Sequence, residues 1–334
     1  MKDDVFAGVR GYKIFTRVWR PERPRAAVVI VHGFNSHSGY YLWVADRFVA
    51  NGLAVYALDL RGRGKSDGER FYVDRFADYV DDVSAFIRIA RQREPGLPIF
   101  LLGHSAGGVI SCVYALEHQA EIAGLICESF AHEVPAPDFA LAVLKGLSHV
   151  APHAHVLKLK NEDFSRDPAV VTAMNNDPLI ANESQPTQTV AEMVRADERL
   201  KKDFPLIKLP VLILHGTADK ATKPSGSQRF YDKAGSSDKT LRGLVDGYNR
   251  RVGPGQKLTD LRSARAGEAA HPGVRTPKQA GMYRGIPWSP NGATAGFGPV
   301  PENMQTKITV QSGNVQMTAK RNVKIPTVVK AVGQ

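Results

Sequence analysis

Five short apolar runs, separated by longer amphipathic segments, constrain this chain more than any other feature. Ala26-Ala27-Val28-Val29-Ile30-Val31 is β-rich and unbroken by any polar residue, as a strand covered on both faces must be. Leu53 to Leu60, Pro98 to Gly103, Ala123 to Cys127 and Pro210 to Leu214 repeat the type. Between them lie helical patterns. In one, Phe76, Tyr79, Val80, Val83, Phe86 and Ile87 share a face, and Asp78, Asp81, Asp82 and Arg88 lie opposite. The alternation predicts an α/β fold with a mostly parallel central sheet flanked by helices. Residues 5–21 alternate less cleanly and read as an antiparallel edge hairpin.

Two regions break the rhythm. Residues of about 130–205 carry a helical apolar set, Phe139, Val143, Leu144, Leu147 and Val150, followed by a stretch rich in Asn and Asp. Lying between two sheet strands, this region reads as an inserted cap. Its apolar set either faces lipid or substrate, which would allow transient membrane-surface contact, or packs over the core. Beyond residue 240 the periodicity fails. Of the net charge of +11, +10 falls on residues 241–334, which hold 14 Lys/Arg against 4 Asp/Glu. The same 94 residues contain 21 Gly and Pro. The expected organisation is a body over 1–240 and a basic, irregular tail over 241–334, with at most a weak hairpin within 307–330 around Ser312-Gly313. A nearly neutral body with a basic tail is not the footprint of a nucleic-acid-binding face, so no nucleic-acid partner is expected.

Cys112 and Cys127 are the only cysteines and both sit in apolar runs, which suits reduced thiols in a cytosolic protein. The first residues have no apolar segment of signal type, and no run reaches membrane-spanning length. The expectation is a soluble, cytoplasmic protein.

Chemistry enters at Gly103-His104-Ser105-Ala106-Gly107, a G-x-S-x-G pattern. Five-residue matches are frequent by chance, but this one follows a strand and precedes the helix-like run Gly108 to Leu116. That is the placement a nucleophile elbow requires. The turn is tight, so the positions two residues either side of Ser105 must be small, and both are glycine. Ser105 is the expected nucleophile. The loop His32-Gly33-Phe34 follows the first central strand, and the backbone N–H groups of Phe34 and Ala106 are the expected oxyanion donors. His32 itself reads as a structural hydrogen-bonder. Asp219, just past the strand Pro210 to Leu214, is the expected acid, whose task is to orient an imidazole.

These motifs, with Asp59-Leu60-Arg61-Gly62-Arg63-Gly64-Lys65-Ser66-Asp67-Gly68, Ser165-Arg166-Asp167-Pro168 and Asn176-Asp177-Pro178-Leu179, resemble the monoacylglycerol lipase and lysophospholipase branch of the α/β-hydrolases. The resemblance covers roughly residues 5–240. It implies the α/β-hydrolase fold and hydrolysis of a small-molecule lipid ester through an acyl-enzyme on Ser105, without cofactor or metal. A different activity on the same scaffold, such as peptidase or lactonase, and a non-catalytic hydrolase-like binding protein are the competing readings.

The departure from the family matters as much. The resemblance implies a last strand resembling Leu-Tyr-Glu-Gly and then the triad histidine. Here the segment reads Leu241-Arg242-Gly243-Leu244-Val245-Asp246-Gly247, and the one histidine after Asp219 is His271, in a loop-like setting. Without a base, activity should be impaired, since triad knockouts lose on the order of 10⁶ in kcat. A shifted reading frame is one origin: Lys239 to Gly243 can be spelled AAA ACT CTA CGA GGG, which read one base later gives Lys-Leu-Tyr-Glu-Gly. A fused tail and true divergence are the others. Loss of the last strand would bare a sheet edge and weaken the fold.

Overall fold

The structure, a computed structural model, describes residues 1–133, 138–244, 307–310 and 315–318. Its central feature is an eight-stranded sheet built from β1 (Lys2–Ala7), β2 (Lys13–Trp19), β3 (Ala26–Val31), β4 (Leu53–Leu58), β5 (Ile99–His104) and β6 (Gly124–Glu128), completed by two later strands. After β6 the chain leaves the sheet for a cap holding the short strands β7 (His155–Leu157) and β8 (Gln185–Pro186), which pair with each other. It then returns as β9 (Val211–Gly216) and β10 (Lys239–Leu244). The spatial order is β1-β2-β4-β3-β5-β6-β9-β10. Strand β2 pairs antiparallel with both β1 and β4; every other neighbouring pair is parallel. This is the α/β-hydrolase fold.

Crossover helices follow from the parallel pairing, because two parallel strands cannot be joined by a tight turn. They are α1 (Leu42–Ala50), α2 (Phe76–Arg93), α3 (Ala106–His118) and, past the cap, α7 (Pro224–Lys233). The cap contributes α4 (Asp138–Leu147), α5 (Pro168–Asn175) and α6 (Thr187–Asp203). Helix α5 starts where Pro168 occupies its first turn and the Asp167 carboxylate accepts the Ala169 N–H, a local signal written in Ser-Arg-Asp-Pro.

The central strands divide their side chains strictly between two cores. Along β3, Ala27, Val29 and Val31 join the cluster under α2, α3 and α6, while Ala26, Val28 and Ile30 join a second cluster under α1. Strands β4, β5 and β9 alternate in the same way. Two-sided burial is why these runs read as continuous apolar blocks.

Strand β10 corrects one expectation. The last sheet strand is not lost: Lys239–Leu244 pairs with β9 in parallel register, from Lys239↔Val211 to Leu244↔Gly216. A parallel ladder is made by backbone groups, so a changed side-chain sequence can still hold the register, and Leu241 packs against the main core. The strand is only partly buried along its length. Within the tail, β11 (Lys307–Val310) and β12 (Val315–Thr318) pair antiparallel with each other.

Candidate active site

The ends of β3, β5, β6 and β9 lie at one edge of the sheet, since Val31 pairs with Gly103, Gly103 with Cys127 and Cys127 with Ile213. The residues singled out in the sequence all follow these ends. Ser105 takes φ 54° and ψ −121°, a conformation L-residues rarely adopt. Its surroundings over-determine that strain. The Ser105 N–H donates to the Glu128 carbonyl at 2.9 Å, and its carbonyl accepts from Gly108 and Ala131 N–H at 2.9 and 3.3 Å. A methyl on Gly107 would lie 2.1 Å from the Val31 carbonyl oxygen, and one on Gly103 2.4 Å from the Gly107 carbonyl oxygen. Both glycines are therefore steric necessities of the turn.

The loop after β3 packs directly on this turn. A methyl on Gly33 would sit 2.7 Å from Ser105 Cβ and 3.2 Å from its Oγ. His32 is fully buried, and both ring nitrogens are engaged: Nε2 accepts the Leu60 N–H at 2.9 Å, leaving Nδ1–H to donate to the Gly33 carbonyl at 2.7 Å. The ring thereby ties the loop after β3 to the backbone after β4. Phe34 is buried beneath the Arg63 guanidinium, which lies 4.1 Å from its ring centroid. Ala106 is the first residue of α3, where a helix leaves its N–H groups without intrahelical partners. Phe34 and Ala106 thus flank Ser105 from two elements.

Asp219 follows β9 at the same sheet edge. Strands β5 and β9 are separated by β6 alone, two strand spacings or about 10 Å. Its carboxylate is satisfied locally. Oδ1 accepts the Ala221 and Thr222 N–H groups at 2.8 and 3.0 Å, and Oδ2 accepts the Thr222 hydroxyl at 2.9 Å. His215 Nε2 lies 3.5 Å from Oδ2 and 3.1 Å from Thr222 Oγ1, while its Nδ1 faces Ser227 Oγ at 2.6 Å. Burial pushes the His215 imidazole below its ordinary pKa, with Asp219 opposing.

Among the described residues, no histidine hydrogen-bonds to Ser105. His37 Nε2 faces Asp177 at 2.9 Å, His132 Nδ1 lies against the Asp197 carboxylate among Phe130 and Phe204, and His118, His153 and His155 hold partners of their own. His271 lies outside the described residues. Among the same residues no group of three or more His, Cys, Asp or Glu is arranged to hold a metal, and no helix is long and apolar enough to cross a membrane.

The chain matches the family described as Serine aminopeptidase, S33 over residues 22–248. It is 35% identical over 258 residues to the monoacylglycerol lipase of Mycolicibacterium smegmatis, covering 76% of this chain and 92% of that protein. The chain belongs to the monoacylglycerol lipase-like α/β-hydrolases. Within this family of serine ester hydrolases it is also 33% identical over 243 residues to the monoglyceride lipase of Homo sapiens, covering 72% of this chain and 80% of that one. The crystal structure of Paleococcus ferrophilus monoacylglycerol lipase superposes with a TM-score of 0.64 at 30% identity, over 71% of this chain and 90% of that chain.

Sequence reasoning missed the polar constellation joining cap to body. Arg63, after β4, is fully buried and ion-paired with Glu183 of the cap. Its Nη2 donates to Gln185 Oε1 at 2.5 Å. Burial would push the Arg63 guanidinium down, but the Glu183 carboxylate and Tyr79 outweigh it and raise it. Asp177 makes a second link. Burial would raise its carboxyl, yet hydrogen bonds from His37, the Leu179 N–H and Tyr40 bring it down to about 2. No local pattern marks Glu183, because its partner lies 120 residues away in the chain.

Proposed function

We propose that the body of this chain is built to hydrolyse monoacylglycerol-like or lysophospholipid-like esters through an acyl-enzyme on Ser105. The strained conformation of Ser105, held against the Gly33 loop, carries the reading. In this scheme Ser105 Oγ attacks the ester carbonyl. The developing oxyanion lies toward the Phe34 and Ala106 N–H groups, the alcohol leaves, and water then cleaves the acyl-enzyme. Asp219 is the acid of the triad. It has the place of one, past the strand two positions from the nucleophile strand. The substrate class rests on relatives named monoacylglycerol lipase and monoglyceride lipase.

We further propose that turnover by this chain is impaired. Proton transfer from Ser105 needs an imidazole between it and Asp219. His215 lies beside Asp219 but its ring nitrogens face Ser227 and Thr222, and the other histidines named above that lie among the described residues are engaged elsewhere. The departure beyond Lys239, by a shifted frame, a fused tail or divergence, accounts for the missing base, and the gene sequence tests that origin. The second reading, a non-catalytic hydrolase-like binding protein, draws on the same engaged histidines. Hydrolysis of p-nitrophenyl esters separates them, measured beside a version carrying a restored family-like C-terminus. Strong gain of turnover on restoration supports the esterase reading; two equally inert proteins would overturn it.

The proposal extends to the surroundings of the site. Helix α4 presents Phe139 and Val143, 73% and 66% exposed, one turn apart, as a face for transient contact with a membrane surface. Vesicle co-sedimentation lost in Val143→Asp supports that contact; unchanged sedimentation counts against it. The tail over 241–334 is proposed as a separate basic segment on its charge and Gly/Pro content. A cytoplasmic setting suits the buried thiols of Cys112 and Cys127, whose sulfurs lie 3.5 Å apart.

A further inference from the structure

The loop that packs against Ser105 is held from two sides by different parts of the molecule. On the body side, His32 Nδ1–H donates to the Gly33 carbonyl at 2.7 Å. That carbonyl belongs to the same peptide group as the Phe34 N–H, so the body fixes this peptide. The next peptide is fixed from the cap: the Asn35 N–H donates to Glu183 Oε1 at 2.8 Å, in a buried contact. Asn35 has φ 48°, a left-handed conformation that costs free energy even for asparagine and persists only when neighbours impose it.

Glu183 is itself held. Its Oε1 is ion-paired with buried Arg63 and accepts the Gln185 Nε2–H at 2.9 Å. The Arg63 guanidinium in turn covers the Phe34 ring. The Asn35 side chain adds a parallel link, donating from Nδ2 to the Leu159 carbonyl at 3.3 Å and to Asn161 Oδ1 at 2.9 Å, both in the cap. Phe34 is therefore clamped between one peptide set by the body and one set by a carboxylate that the cap delivers.

We propose that Glu183 is a positioning residue for the oxyanion loop, so that the loop takes its working shape only while the cap is seated on the body. This rests on the reading of the Phe34 N–H as an oxyanion donor. If the cap lifts, Glu183 leaves with it, the Asn35 N–H loses its acceptor, and the left-handed turn relaxes. Cap seating and oxyanion stabilisation become one event.

The test uses the full chain with three variants. Glu183→Met removes the acceptor at similar volume but strands Arg63. Arg63→Met with Glu183→Met removes both charges, a change buried pairs often tolerate. Glu183→Gln keeps an acceptor oxygen. Two readouts apply: amide exchange of residues 33–36, and phosphonylation of Ser105 by a fluorophosphonate probe, resolved into a saturated rate and a half-saturating concentration. In both Met variants the segment should exchange at least about tenfold faster than the parent. The saturated rate should fall about tenfold with half-saturation shifted under about threefold, and Glu183→Gln should recover most of both. A cooperatively folded double variant that keeps the parent's exchange, or its saturated rate, overturns the proposal. If Ser105 of the parent is never labelled, the nucleophile reading falls, and the exchange measurement still decides whether Glu183 holds the loop.

Discussion

The Ser105 side of the candidate site and the Asp219 side are built on opposite terms. Around Ser105 the backbone is strained, and neighbours on β3, β6 and α3 hold it there through close packing that leaves no room for a Cβ at Gly103 or Gly107. Around Asp219 nothing is strained. Its carboxylate closes a local turn with Ala221 and Thr222, beside a partly buried edge strand. A strained residue needs a surrounding structure to sustain it and so marks a site that long-range packing preserves. A turn aspartate satisfies itself and survives whether or not an imidazole arrives. The contrast explains how this chain keeps an intact elbow while Asp219, the proposed acid, has no described histidine linking it to Ser105.

The largest expected effect separates the two sides by sterics. Gly107→Ala drives a methyl into the Val31 carbonyl and should cost about 4 kcal/mol or more, or prevent folding, as read by urea denaturation. A stable, cooperatively unfolding variant would show that the elbow is looser than described. Next, Leu101→Ala in central β5 should cost about 3 kcal/mol, whereas Leu241→Ala in edge strand β10 should cost about 1 kcal/mol. Equal costs would erase the difference between the halves of the sheet.

Smaller effects sharpen the picture. Ser105→Gly relieves the positive φ and should stabilise the fold by about 1 kcal/mol in the same urea assay, although it removes the proposed nucleophile. A destabilised Gly variant would mean the strain is not there. The cap link gives a pH dependence. The Asp177 carboxyl is held at about 2, below its unfolded value near 4, so its contribution is complete above about pH 4 and is lost as pH falls toward 2. Because the carboxylate is partly solvated, the effect should be only about 1 kcal/mol between pH 5 and pH 2. It should be absent in Asp177→Asn. An identical pH profile for parent and variant would remove Asp177 from the cap–body link.

The sequence carried the sheet and the elbow because both are local in the chain. Unbroken apolar runs report two-sided burial, and paired glycines around a serine report a turn that excludes Cβ atoms. The end of β10 was harder, because a parallel edge strand is held by backbone bonds that Arg242 and Gly243 neither help nor forbid. Glu183 and Asn35 were not legible at all. Their contact spans 148 positions, and a single acid in an Asn-rich stretch looks like any solvated loop residue. His132 and Asp197 form a buried pair for the same reason without a signature.

The central proposal is that Ser105 and Asp219 serve a shared site in which, among the described residues, no imidazole links the two. Asp219→Ala tests it through the rate at which a fluorophosphonate labels Ser105. With no base to orient, the substitution should change that rate by less than about threefold. A loss on the order of 10⁴, the scale seen when an acid is removed from a working triad, would show that a histidine does reach both residues and would contradict the account.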